Sequence, residues 1–171
     1  GAGWHLPRIG SLGEIIDIDL SVRGDMYHVT NLVNSNGIGS DSGIRGRIHP
    51  LAAVNWRFPL SKQDGRVTQT LEPVASFVMS PYGGNPSGIP NEDSIDLEFD
   101  DTNLFSPNRF TGLDRVEGGP RFSYGLKWGA FGRAGGGSSL FLGQSYRFKS
   151  DDTFAVGSGL EDNFSDIVGR V

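Results

Sequence analysis

Residues 13–29 read GEIIDIDLSVRGDMYHV. Ile16, Ile18, Leu20, Val22, Gly24 and Met26 take every second position, and Asp17, Asp19, Ser21, Arg23, Asp25 and Tyr27 fill the positions between them. A strand sends successive side chains to opposite faces, so this spacing makes one apolar face and one polar face. A helix, at about 3.6 residues per turn, would scatter both sets around its axis. The stretch therefore predicts a long amphipathic strand.

The same period recurs outward along the chain. Within residues 44–60, Ile44, Ile48, Ala52, Val54, Trp56 and Phe58 oppose Arg45, Arg47, His49, Asn55 and Arg57. Pro50 has no ladder donor and predicts weakened pairing or a bulge there. Residues 66–80 alternate less cleanly, with Val67, Leu71, Ala75, Phe77 and Met79 against Arg66, Thr68, Thr70, Glu72 and Ser76. Residues 120–131 set Phe122, Tyr124, Leu126, Trp128 and Ala130 against Arg121, Ser123, Gly125, Lys127 and Gly129. Residues 138–149 set Leu140, Leu142, Tyr146 and Phe148 against Gly143, Ser145 and Arg147, with Phe141 out of step. The C-terminal SDIVGRV reads as the start of a sixth strand.

Several of these strands run about 12 to 17 residues, against five or six in most globular sheets. Connections read as alternately long and short: 30–43 long, 61–65 short, 81–118 long, 133–139 short and 150–164 long. Outer-membrane barrels alternate short turns with long outer loops and carry aromatic residues at both interfaces. Tyr27, Trp56, Phe58, Trp128, Phe131, Tyr146 and Phe148 lie near strand ends and suit such girdles. The fold expected is all-β: an antiparallel transmembrane β-barrel segment of about five to six long strands from a larger barrel. A soluble β-sandwich accounts for the alternation but not for the loop rhythm.

Composition agrees. Of 171 residues 26 are Gly, aromatics make up 11% and the hydrophobic fraction is only 36%, as when half of every strand is polar. No cysteine is present, so no disulfide framework exists in this stretch. A net charge of −5 argues against a nucleic-acid partner. The chain does not begin with Met and shows no signal peptide, and is read as a fragment or processed product.

The segment IPNEDSIDLEFDDTNLFSPNRFTGLDRVEGG, residues 89–118, breaks the pattern. Residues 91–117 hold eight acids and two bases, a formal −6, which leaves the rest of the chain at +1. Acids at this density invite a Ca²⁺ reading, but their spacing is not that of an EF-hand. They also invite a glycosidase pair, Glu92 or Glu98 with Asp100 or Asp114, although any acidic loop offers such pairs. Ile95, Leu97, Phe99, Leu104, Phe105, Phe110 and Leu113 argue against disorder. The loop of about 81–118 is expected to pack on the inner wall of a wide barrel. Its acids would there meet the lumen-facing candidates Arg45, Arg47, Arg57, Arg121 and Arg147, with Glu72 on the same wall. His5, His28 and His49 are too scattered for a metal site, AGGGSS is a turn rather than a phosphate loop, and Asn163–Ser165 matches a glycosylation sequon.

The loop and its flanks carry a family resemblance. Ile89-Pro90 with Asp93-Ser94, Asp101 through Phe105 (including Asn103 and Leu104), Asn108-Arg109-Phe110 and Gly112-Leu113-Asp114-Arg115 resemble the C-terminal barrel region of the lipopolysaccharide-assembly outer-membrane protein LptD, also called OstA or Imp. Leu71-Glu72-Pro73, and Gly143-Gln144 with Tyr146 and Phe148, resemble it too, in an alphaproteobacterial style. The resemblance runs from Trp4 to Val171 and covers only part of that protein. It implies a non-catalytic role without cofactor or metal: insertion of lipopolysaccharide into the outer leaflet of a Gram-negative outer membrane. It also implies an LptE-type lipoprotein plug in the lumen and periplasmic bridge proteins that act through an N-terminal domain outside this stretch.

Overall fold

The computed structural model describes residues 1–33, 40–89, 97–110, 112–149 and 153–171. Its strands are β1 (Ala2–Ile9), β2 (Ile15–Val33), β3 (Ser40–Arg57), β4 (Leu60–Asp64), β5 (Val67–Met79), β6 (Arg121–Gly132), β7 (Gly137–Arg147) and β8 (Val168–Arg170). They form one antiparallel sheet in the order β1-β2-β3-β5-β6-β7-β8, with β4 on β5. The all-β, antiparallel expectation holds. The sheet is open, with β1 and β8 as its end strands, and it does not close into a barrel.

Among the described residues eight strands replace the expected five or six, for two local reasons. Pro7 and Arg8 blur the alternation of β1, yet Trp4 and Leu6 pair in register with Leu20 and Ile18. Pro59 interrupts the strand that began as β3, and the chain resumes as β4, so residues 61–64 are strand rather than turn. The turn itself is Gly65-Arg66, with Gly65 at φ 57°. Pro50 makes no bulge: it pairs with Val22 in unbroken register, and pairing on the other side of β3 begins only at Ala52. A proline at a strand edge sacrifices no ladder bond. The irregularity falls instead between Val29 and Leu32, where Asn31 has a φ of 58°. The connection expected over 30–43 shrinks to 34–39 because β2 and β3 continue as a hairpin beyond the rest of the sheet. Short turns thus share one end of the sheet, and the 34–39, 80–120 and 148–167 connections share the other.

The two faces are inverted with respect to a water-soluble protein. One face presents Met26 (81% exposed), Ile48 (78%), Val54 and Leu126 without cover. On the opposite face Arg47, Ser76, Arg121, Ser123, Ser145 and Arg147 are buried, while Arg57 and Lys127, toward the short turns, stay exposed. The cover is made by the described residues of the long 80–120 connection, joined by residues 153–165. Leu104 of this cover packs with Val74, Phe141 and Val168, flanked by Phe99 and Phe105. Phe110, Phe154 and Leu160 form a second cluster. Phe141 breaks the alternation for this reason: it is an apolar residue on the polar face, placed where the loop docks.

Candidate functional site

The loop is tied at a neck where its two ends run side by side. The Asn85 side chain imitates a backbone pair, donating from Nδ2 to the Val116 carbonyl at 2.7 Å and accepting the Val116 N–H at 2.9 Å. Ser80 Oγ donates to the Glu117 carbonyl at 3.2 Å, and the Gly119 N–H to the Pro81 carbonyl at 3.0 Å. A side chain at residue 118 would place its Cβ 2.3 Å from the Gly83 oxygen, so only glycine fits there.

Inside the neck lies a buried ionic cluster. Glu117 Oε1 is 3.2 Å from Arg109 Nη1 and 3.5 Å from Arg121 Nε, and all three side chains are almost wholly buried. Arg109 Nη2 donates to Ser145 Oγ at 2.7 Å, to the Leu104 carbonyl at 3.3 Å and to Ser123 Oγ at 3.4 Å. Arg121 Nη2 donates to the carbonyls of Ser106, at 2.9 Å, and Pro107. Buried charge is tolerated only when its geometry and remaining hydrogen bonds are supplied, and here the loop's own carbonyls supply many of them. Burial pushes the Arg109 guanidinium down to about 10, with Glu117 opposing the shift, so it stays protonated at neutral pH.

A second anchor holds the protruding hairpin. Arg47 pairs with Asp25 and donates to the carbonyls of Asp114 at 2.6 Å, Gly84 at 3.1 Å and Leu113 at 3.2 Å. Arg23 bonds Asp25 at 2.8 Å and also reaches the Leu113 carbonyl. A third anchor is a stack. Arg115 lies 5.8 Å from the Phe110 ring centre, Phe110 stacks on Phe154 at 5.0 Å and 11°, and Arg147 lies 4.6 Å over Phe154. Such cation–π contacts strengthen as they lose water. Arg115 Nη1 also donates to the Thr153 carbonyl at 3.3 Å.

The residues singled out in the sequence fall into distinct places. Ile89 and Leu104 are buried. Pro90, Asp93 and Ser94 lie outside the described residues. Asp101 is 3.3 Å from Arg170. Asn103 accepts the Asp100 N–H and donates to the Glu98 carbonyl. Phe105 meets Phe141 edge-on at 6.2 Å. Gly112 is partly covered, whereas the Leu113 side chain is exposed and only its carbonyl is engaged. Asp114 likewise lends its carbonyl to Arg47. Arg45 approaches Gly88, Arg57 is exposed, and Glu72 is 3.4 Å from Lys127.

Among the described residues the loop acids do not converge. Asp100 closes its own turn, where the hydroxyl and N–H of Thr102 hold its carboxyl below the ordinary carboxylate range. Glu98 is exposed and Glu117 is buried with its arginines. Among the described residues, no three His, Asp or Glu gather as a metal would need. Asn108, singled out with Arg109 and Phe110 in the family motif, accepts the Glu117 N–H at Oδ1, and its Nδ2 donates to the carbonyls of Phe110 and Arg115. Sequence reasoning passed over Asn85 and Phe154, which carried no signal.

The sequence signature of the LptD family, described as LPS transport system D, matches residues 1–171. The chain belongs to the LptD family. The LPS-assembly protein LptD of Acinetobacter baylyi is 30% identical over 132 residues, which cover 72% of this chain and 16% of that protein. LptD of Acinetobacter baumannii is 30% identical over 133 residues, covering 77% and 16%. LptD of Aeromonas hydrophila is 33% identical over 106 residues, covering 60% and 13%. The chain therefore spans about a sixth of the length of the first two of these LptD proteins. The family is described by transport rather than catalysis, and the ionic cluster, the arginine clamp and the aromatic stack are features of an LptD-family chain.

Proposed function

We propose that residues 1–171 are one section of the C-terminal barrel of an outer-membrane protein that inserts lipopolysaccharide into the outer leaflet of a Gram-negative envelope, without catalysis. The observation that carries this reading is the inversion of the sheet: the apolar face is bare while arginines and serines are buried behind a loop. Bare apolar strands suit hydrocarbon, and a polar face suits the interior of a barrel. Strands of 19, 18 and 13 residues for β2, β3 and β5 exceed the roughly 9–11 that cross the hydrocarbon layer. In this reading further strands beyond β1 and β8 satisfy the open edges, since no unpaired edge persists in lipid.

The loop then lies in the lumen, held as a fixed closure rather than a hanging strand. Arg57, Glu72 and Lys127 share the polar face toward the short-turn end and offer it to an LptE-type lipoprotein plug. Lipopolysaccharide would arrive from periplasmic bridge proteins through an N-terminal domain. The alphaproteobacterial style of the sequence belongs to the same reading and is tested by placing the complete gene among its relatives. The functional test is deletion of residues 91–115 in the full-length protein. Permeability to bulky antibiotics should rise while the barrel still assembles; unchanged permeability with normal assembly would remove the loop from any closing role.

A further inference from the structure

The neck of the loop closes over a buried histidine. A Cβ at residue 84 would lie 2.7 Å from Val116 Cγ2 and 3.4 Å from His49 Nδ1, so the valine of the neck and the imidazole of β3 close on the same glycine. His49 is 7% exposed. It sits in the part of β3 that runs on past Ala52, where pairing with β5 ends, and the residue directly opposite on β2 is Arg23. The charges that act on the ring are Arg23 and Asp25 from β2, Arg47 from β3 itself and Arg121 from β6. Asp25 is the one carboxylate among these four, and it already accepts hydrogen bonds from Arg23 at 2.8 Å and Arg47 at 2.9 Å. Glu117 of the neck is taken up by Arg109 and Arg121, and Asp114 turns its carbonyl to Arg47.

We propose that His49 is an acid-operated latch on the loop: uncharged, the imidazole lets the neck seat on the protruding hairpin, and protonated it releases the neck. A proton on His49 places a cation directly opposite Arg23 and another charge beside Arg47, in a space largely closed to water. Like charges facing each other across a strand pair oppose the pairing, and a buried charge is costly without a partner of its own. Once the neck lifts, the ring meets water and takes up a proton near its ordinary value of about 6.5. The undocked state therefore binds the extra proton. Docking is complete above about pH 6.5 and weakens as the pH falls below it. The latch gives the loop a trigger, and for that role it rests on the reading of the loop as a lumenal closure.

Amide exchange of the full-length protein in detergent, corrected for the intrinsic pH dependence of exchange, reads the latch. The reporters are the Val116 and Gly119 N–H groups, which bond the Asn85 side chain and the Pro81 carbonyl across the neck. Carboxylates stay ionised between about pH 7.5 and about pH 5, so histidine dominates the response there. Below about pH 6.5 protection of the two reporters should fall by up to about tenfold per pH unit, the slope that one proton gives, while amides of β6 and β7 stay protected. His49→Gln, which keeps a polar side chain but takes no proton, should hold the protection level over the whole range. His49→Leu serves the same purpose if the glutamine variant fails to assemble. Wild-type protection that ignores pH, or that falls equally in the variant, would overturn the latch. Either result leaves the closure standing, because deletion of residues 91–115 tests that separately.

Discussion

The two faces of one sheet meet opposite fates. On the bare face Met26, Ile48 and Val54 are exposed; on the other, Arg109 of the loop and Arg121 of the sheet are 2% and 1% exposed around a buried Glu117. In water the first arrangement wastes apolar burial and the second demands a large desolvation cost. The pairing makes sense when the apolar face has hydrocarbon as its solvent and the polar face has a loop. The difference teaches that exposure is defined by the medium, and that a polar core is affordable where an ion pair and the loop's own carbonyls supply much of its hydrogen bonding.

The comparison breaks first at the ionic cluster. Glu117→Ala leaves Arg109 and Arg121 buried without their carboxylate, and removing one partner of a buried pair costs about 3–5 kcal/mol. Denaturant unfolding of the full-length protein in detergent should show that loss, with protease cleavage appearing inside residues 97–118. A stable, uncut loop would mean the carbonyl bonds hold the arginines unaided. Val54→Arg probes the opposite face. A charge there should cost about 2–4 kcal/mol near the middle of a bilayer, read as lowered stability of the folded barrel in vesicles, and little in a soluble sandwich. Equal stability of the variant in vesicles would turn the bare face toward water.

The smallest of the three effects sharpens how the loop docks. Gly125 and Gly143 pair across β6 and β7, and a Cβ at residue 143 would sit 2.4 Å from Leu104 Cδ2. Gly143→Val should cost about 1–3 kcal/mol by overpacking. It should loosen Leu104 without unpairing the strands, so amide exchange would quicken in the loop and stay slow in β6 and β7. Uniform quickening would show that the loop and the sheet open as one unit.

Much of the architecture was legible because strand chemistry is local. A period of two assigns each residue to a face without knowledge of its partners, and it placed Arg47, Arg121 and Arg147 on the face that proved to be covered. The family motif around Asn108-Arg109-Phe110 and Gly112-Leu113-Asp114-Arg115 marked the segment that forms the buried cluster and the stack. Proline chemistry was read correctly in kind but at the wrong position, since whether Pro50 or Pro59 breaks a strand depends on which edge is free.

What only the tertiary structure decided was which groups answer which. The acidic composition suggested that acids of the loop meet the lumen-facing arginines. Glu117 does meet Arg121, together with Arg109 of the loop itself, whereas Arg47 reads the carbonyls of Gly84, Leu113 and Asp114, and Asp100 is spent on its own turn. A guanidinium fork donates to any well-placed oxygen, so charge counts in a sequence cannot tell a carboxylate partner from a backbone one. The sequence by itself determined the long strands, their faces and the family, but not β1 or β4. The closeness of Asn85 to Val116, the hole that Gly143 leaves for Leu104, and the pairing of Phe110 with Phe154 depend on distances between segments far apart in the chain, and those exist only once the loop is folded onto the sheet.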